Sequence, residues 1–385
     1  MNTVPAVACA IEDLAVEKQH GEGSATALLV AAILRHDARS IAFGLVACAI
    51  AATVASFQFA VFTSFLAAGS AVPRYIDADA WIVAAGVDCF DFPAPISEAY
   101  AGAVQRWLPG ARVRPVYVGF AGSNGPQGTA GNVVIVGLEQ SGLSDREFLV
   151  DTSDLGRLRL SRDDNSLQVG GLLLRQGAQT TALATFLGAP YIVVTPTTAR
   201  RVLRSPEGQA AFLAVDFPAG APADLADRLA EIARHYPELD AFSGPQFKAS
   251  SSRYWQAKTG AGAAILLAAM LAAMLMLLLL VNAVARFVQR RQADILSLIG
   301  HGASNRDVMA LLMAMTGVLV CGSLIAVVIF APVITWLAHP WLPWVAFKTA
   351  DFLFALALCV LAFVVATVAA VSDLKRFPPD AIFRS

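Results

Sequence analysis

Long runs without a charged side chain alternate with ordinary mixed sequence along this chain. Four runs contain no Asp, Glu, Lys or Arg: Ser40 to Pro73, Thr259 to Ala285, Val308 to Phe347 and Phe352 to Ser372. About 20 apolar residues in helical form cross a hydrocarbon layer of roughly 30 Å. Backbone exposed to lipid must satisfy its own hydrogen bonds, which favours helices. Each run therefore predicts a spanning helix, and Met270 to Val281 (MLAAMLMLLLLV) lacks the polar face of a soluble amphipathic helix. Pro332, Pro340 and Pro343 put the end of the third span near His339. The spans are placed at 41–70, 259–285, 308–339 and 352–372, joined by loops at 286–307 and 340–351. The first two runs exceed a bilayer span, so their helices are expected to continue outward as a stalk.

The pattern changes between residues 71 and 258, where acidic and basic residues mix as in a soluble domain. Short β-type runs occur at Ala80–Ala84, Val113–Phe120, Val133–Leu138, Tyr191–Thr195 and Phe212–Phe217. Helical patterns lie between them at Ser97–Leu108 and Ala223–His235; in the latter, Leu225, Leu229 and Ile232 recur at helical spacing. Ser141 to Gly177 is richer in Asp, Arg and Gly and reads as a β-rich insertion. The predicted fold class is an α-helical membrane protein with four transmembrane helices. A large α/β or α+β extracytoplasmic domain is inserted between the first and second.

Composition agrees with lipid as the solvent. The chain is 57% hydrophobic and only 15% charged, with a mean hydropathy of +0.60; soluble domains carry about 25% charged residues. A net charge of −1 supplies no field for polyphosphate, so nucleic acid is not an expected partner. Positive charge in short loops marks the cytoplasmic side. Arg286, Arg290, Arg291 and Arg306 stand against Asp294 and Asp307 in the 286–307 loop, whereas the 340–351 loop has only Lys348 against Asp351. The tail, 373–385, adds Lys375, Arg376 and Arg384, and Arg35 and Arg39 precede the first span. Both termini and the 286–307 loop are thus expected inside, and 71–258 outside. The leader, residues 1–40, lacks a basic start and carries Glu12, Asp13 and Glu17, so the first span is expected to stay as an uncleaved anchor.

Several chemistries are missing. A phosphate loop ends in Gly-Lys-Ser/Thr, and none of Lys18, Lys248, Lys258, Lys348 and Lys375 follows a glycine. The chain is expected to be a non-enzyme with no Walker A motif, no cofactor and no metal of its own. Ala121-Gly-Ser123-Asn-Gly125 is a near variant of a nucleophile elbow, but Pro126 and Gly128 follow where a helix should, so a loop tip is the better reading. Gly260-Ala-Gly262 reads as a small-residue contact between membrane helices rather than a dinucleotide fragment. Asp163-Asp164-Asn165 reads as a turn rather than a calcium loop, and the five histidines are scattered. With Cys89 the one cysteine in the outer domain, no intrachain disulfide is expected there. No charged residue is expected inside a span, so an ion pathway lacks its usual marker.

The 286–307 loop carries a further pattern. Ile295, Leu298 and Ile299 form an apolar stripe beside Arg290 and Arg291. Gly300 and Gly302 end that helix, Ser304 caps the third span, and Asp307 sits three residues on in a capping-box position. A membrane-surface helix with solvated arginines is the plain reading; a docking helix for a cytoplasmic partner is the functional one.

Arg291-x-x-Asp294-Ile295-x-x-Leu298 followed by Gly302-Ala303-Ser304 resembles the Arg-Glu-Ile and Gly-Ala-Ser signature of FtsX-like ABC permeases of the MacB and DevC type. One span, a large outer domain and three more spans follow the same order. Arg253-Tyr-Trp255-x-x-Lys258-Thr259-Gly-x-Gly262 is similar to the DevC branch, and Pro379-Asp-Ala-Ile-Phe-Arg384 to the family's ending. Asp294 stands where the family has Glu, and His301 where it has a large apolar residue. The resemblance implies a permease subunit of the bacterial inner membrane that binds no nucleotide itself. It pairs as a homodimer and docks a separate cytoplasmic ABC ATPase, which binds ATP, through Arg290, Arg291, Asp294, Ile295, Leu298, Ile299, Gly302, Ala303 and Ser304. It further implies export of an amphipathic or lipid-like substrate by mechanotransmission, with a periplasmic adaptor and an outer-membrane channel. The alternative within this resemblance is an FtsX-like regulator that transports nothing and relays ATPase motion to an envelope enzyme. A membrane sensor would need a large cytoplasmic output domain, which the short tail after Ser372 does not supply.

Overall fold

The computed structural model describes residues 38–374, apart from 126–127, 129, 140–141, 161–164, 293–294, 296–298 and 301–303. Helix α1 (Ala38–Ala68) leads through the short α2 (Ala71–Ile76) to strands β1 (Ala80–Ala84) and β2 (Ile96–Ser97). Next come α3 (Tyr100–Trp107), β3 (Arg112–Asn124), β4 (Ala130–Gly137), β5 (Glu147–Asp151), β6 (Ser166–Val169), β7 (Leu172–Thr180) and β8 (Tyr191–Val194). Then follow α4 (Pro196–Leu203), β9 (Gln209–Ala210), β10 (Phe212–Asp216), α5 (Leu225–His235), β11 (Leu239–Ser243) and α6 (Gly244–Arg253). Three long helices close the chain: α7 (Ala261–Arg290), α8 (Asn305–Ala338) and α9 (Thr349–Leu374). The chain divides into two compact units. A helical unit holds residues up to Val61, Ile265–Leu337 and those from Phe347 on; an α/β unit holds Phe62–Ala264 and Ala338–Ala346.

In the helical unit, four helices among the described residues are long and apolar enough to cross a membrane. Their common core places small side chains of α1 (Cys48, Ala51, Ala52, Ala55) and α9 (Ala355, Cys359, Ala362, Ala366, Ala370) with Met276, Leu280, Val284 and Val288 of α7. Small residues let helix backbones approach where lipid provides no hydrophobic drive. Phe59 stacks on Phe354 at 3.9 Å between ring centres. The opposite faces carry exposed Leu267, Leu271, Leu275 and Leu278 on α7 and Val360, Val364 and Val368 on α9. Such faces suit a hydrocarbon solvent. Pro332 lies inside α8, where it removes one helix hydrogen bond. One expectation is corrected here: Asp351 belongs to the first turn of α9 and is fully buried. Its carboxylate accepts the Lys348 backbone N–H at 2.7 Å, a placement that a helix N-terminus favours for an anion.

In the α/β unit, β11, β1, β10 and β3 form an antiparallel sheet. β1 is central and buried on both faces, which is why it reads as the unbroken apolar run AWIVA rather than an alternating one. Trp81 and Val83 point to one core with Phe90, Phe212 and Phe247. Ala80 and Ile82 point to another, covered by Val104 of α3, by Leu108 just after it and by Leu225, Leu229 and Ile232 of α5. β3 then continues beyond this sheet. Its residues 117–124 pair with β4, and Ser123 and Asn124 pair with β6. The order β3-β4-β8-β5-β7-β6 thus returns to β3 and closes a six-stranded ring, with parallel pairs at β4–β8 and β5–β7. The ring fills with Val133, Ile135, Phe148, Val150, Leu167, Leu174 and Ile192. The β-rich stretch expected at 141–177 supplies β5, β6 and most of β7. Pro115 sits on β3 just outside the β3–β4 ladder, so its missing N–H breaks nothing there. The fold is therefore the expected one: apolar helices with a large mixed α/β domain between the first and second.

Candidate functional site

The C-terminal end of α7 leads into the segment singled out in the sequence. Arg290 ends the helix and is exposed; Arg291 is half-buried and its N–H donates to Phe287 O at 3.1 Å. Ile295 N–H donates to Arg291 O at 2.9 Å, so helical bonding resumes after one turn residue. Ile295 is only 5% exposed and Ile299 half-buried. The Ile295 side chain is thus packed inside this chain. Ser304 and Asp307 form the reciprocal cap read from their spacing. Asp307 Oδ2 accepts the Ser304 N–H at 2.8 Å, and Ser304 Oγ accepts the Asp307 N–H at 3.4 Å. Asp294, Leu298, Gly302 and Ala303 lie outside the described residues.

A second constellation lies in the α/β unit, where residues 62–68 of α1, the turn before α7 and the 338–346 loop come together. Phe65 of α1 packs on Phe186 at 4.6 Å, on Trp344 at 6.2 Å and on Trp255 at 6.4 Å. Phe186 meets Trp255 edge-on at 4.7 Å. Ser64 Oγ accepts the Ala346 N–H at 3.1 Å, and Ser252 Oγ donates to Leu66 O at 2.8 Å. Trp255 itself sits in a π-helical turn, Tyr254–Lys258, that follows α6. That extra-wide turn swings the indole inward, and Gly69 opposite leaves it room: a Cβ there would lie 2.8 Å from Trp255 Cδ1.

Under the aromatics lies Asp91, 5% exposed. Its carboxylate accepts the Trp255 indole N–H at 2.8 Å, the Tyr191 hydroxyl and the Cys89 thiol. Burial raises the Asp91 pKa above the ordinary carboxylate value, while the Tyr191, Trp255 and Cys89 bonds pull it back. Burial also pushes the Cys89 thiol up to about 12, so this cysteine is no nucleophile. The sequence reading quoted Trp255 but missed Asp91 and Tyr191. The available signal was an acid set between aromatics in Cys89-Phe-Asp91-Phe.

Two readings of glycine-rich stretches resolve on geometry. Ser123 is buried within β3, opposite Gly131 and Val169, so it is no nucleophile elbow. Gly260 and Gly262 serve the turn into α7 rather than a contact between membrane helices. Gly260 has φ +72°, and a Cβ on Gly262 would meet the Gln256 backbone at 2.6 Å.

Residues 266–379, which run through the last three long helices and the segment between α7 and α8, match the FtsX-like permease C-terminal domain. The last three long helices thus form an FtsX-like permease domain. The permease also has structural likenesses that cover part of its length. One is to the periplasmic region of MacB from Actinobacillus actinomycetemcomitans, with 8% identity over 44% of this chain and 90% of that one, TM-score 0.34. Another is to the extracellular domain of the noncanonic ABC-type transporter YknZ from Gram-positive bacteria, with 8% identity over 43% and 99%, TM-score 0.31. No protein of curated function matches the permease. Its four apolar helices and this domain mark a multi-pass membrane protein that carries an FtsX-like permease domain.

Proposed function

We propose that this permease is the membrane subunit of an ABC exporter that takes its energy from a separate ATPase docked on residues 286–307. It works as a homodimer in the bacterial inner membrane, with both termini and that segment cytoplasmic. ATP-driven movement at the segment is passed through the helices to the α/β unit, which acts outside on an amphipathic or lipid-like substrate. A periplasmic adaptor and an outer-membrane channel complete the path. The observation that carries this reading is the FtsX-like match over 266–379, which includes the segment. The absence of any Gly-Lys pair supports a borrowed motor rather than a built-in one. The helical unit adds that buried polar groups there, such as Thr316 and Ser323, bond their own helix carbonyls instead of lining a pore.

The test is affinity purification of the full chain from its native membrane, with nucleotide hydrolysis measured in the eluate. Wild type should carry an ATPase along. Arg290→Glu combined with Leu298→Asp should cut the co-purified activity at least about tenfold while chain yield and membrane insertion hold. Unchanged activity in the variant, or hydrolysis by the chain stripped of partners, would overturn the proposal.

A further inference from the structure

Along the exposed face of α7 the chemistry changes abruptly. Leu267, Leu271, Leu275 and Leu278 are exposed and apolar; Asn282, Arg286 and Arg290 then follow at four-residue spacing, all exposed. Residues four apart on a helix share a face, so the column runs from hydrocarbon character at Leu278 through Asn282 to positive charge at Arg286, about two turns on. Beside this change lies a cavity of about 210 Å³ within the helical unit. Its walls are Phe43, Gly44 and Ala47 of α1, Leu279 and Ala283 of α7, and Leu319 of α8, and its polar rim is Asn282, Arg286 and Arg290. Asn282 Nδ2 donates to Leu278 O at 3.0 Å, which turns its amide oxygen to other duties. Gly44 lines the cavity on α1, where a Cβ would stand in ordinary contact, 3.5 Å from the Ala283 Cβ.

We infer that this cavity is a binding site for one anionic phospholipid. Its phosphate sits on the Arg286 guanidinium, and one acyl chain lies between Phe43 and Leu279 with its remainder in the bilayer. Two features decide for a lipid over a soluble anion. The walls are apolar, and Phe43, 75% exposed at the lip, offers a free hydrophobic flank along which a chain would run outward. Guanidinium groups pair phosphate oxygens in a fork, and basic pockets between membrane helices suit anionic headgroups. Under the orientation proposed above, the site faces the cytoplasmic leaflet; occupancy itself does not depend on that orientation or on an ATPase. An occupant here wedges α1 from α7 beside the segment assigned to docking, so lipid composition would tune the coupling.

The test uses the full chain in mild detergent, titrated with phosphatidylglycerol or phosphatidylcholine and read by native mass spectrometry. Arg286 and Ala47 are altered because Arg290 also belongs to the proposed docking segment. Wild type should retain phosphatidylglycerol at least about tenfold better than phosphatidylcholine. Arg286→Gln should abolish that preference, Arg286→Lys should restore most of it, and Ala47→Trp should block retention of both by filling the cavity. Equal retention of the two lipids by wild type would overturn the inference. So would displacement of the lipid by millimolar inorganic phosphate, which would make the site one for a soluble anion. Loss of dimer rather than of lipid in Ala47→Trp would assign the cavity to a second copy of the chain and equally end the proposal. Retained thermal stability in Arg286→Lys guards against reading misfolding as lost binding.

Discussion

Trp255 and Asp91, 164 positions apart in sequence, are joined by an indole N–H donated to a buried carboxylate at 2.8 Å. The bond ties the turn before α7 to the loop after β1, and the Tyr191 hydroxyl on the other oxygen ties in β8. A buried carboxylate stripped of a donor costs about 1–3 kcal/mol. Trp255→Phe keeps most of the ring packing but removes the N–H, so it should lower the thermal stability of the permease by that order. Asp91→Asn removes the buried charge and keeps an acceptor. In a double-mutant cycle, the loss caused by Trp255→Phe should shrink in the Asp91→Asn background; additive losses would show that the bond contributes nothing.

Asp154 gives a pH dependence. It is fully buried, and desolvation raises its pKa from 3.8 to about 6 against the pull of Arg157, which it bonds at 2.8 Å. An acid with a raised folded-state pKa holds its proton better folded than unfolded. Its contribution is therefore present below pH 3.8 and is lost as pH climbs through about 6. The whole change is about 3 kcal/mol at ~1.4 kcal/mol per unit. Urea unfolding of wild type and Asp154→Asn between pH 4 and 7 should give a stability difference that shifts in favour of the variant as pH rises. A difference constant with pH would refute the assignment.

Packing in the helical unit is tested at Gly322, whose added Cβ would collide with the Leu45 side chain. Gly322→Val should destabilise by about 1–3 kcal/mol through overpacking. Leu45→Ala should recover part of that loss, as read by thermal aggregation of the detergent-solubilised chain.

Orientation is tested by proteolysis. A specific cleavage sequence inserted at Gly128, exposed in the hairpin between β3 and β4, should be cut in intact spheroplasts. The same insertion at Ser304, exposed at the start of α8, should be cut only after lysis. The reverse pattern would invert the topology.

The spans were legible because four uncharged runs admit little but helices in lipid, and β1 was legible to the residue because a strand covered on both faces is uniformly apolar. The cap at Ser304 and Asp307 was local, hence readable. What stayed hidden was non-local. Ser123 meets Val169 across the ring seam, and no periodicity in β3 or β6 announces that pairing. Asp91 drew no notice because its donors, Tyr191 and Trp255, lie 100 and 164 residues away. Asp351 looked like a loop charge because the first turn of α9 begins two residues before it. Ile295 fitted an apolar stripe by spacing, but spacing alone does not say that its side chain packs inside the chain.

β3 is shared property. Its first residues complete the open sheet through β10, and its last ones begin and end the ring through β4 and β6. Thirteen residues, extended over roughly 43 Å, act as a common spine for two cores. Neither half can be excised as an autonomous fragment, because removing β3 from one leaves the other without an edge. The α/β unit should accordingly melt in a single cooperative step, and strain applied to either half is felt by its companion.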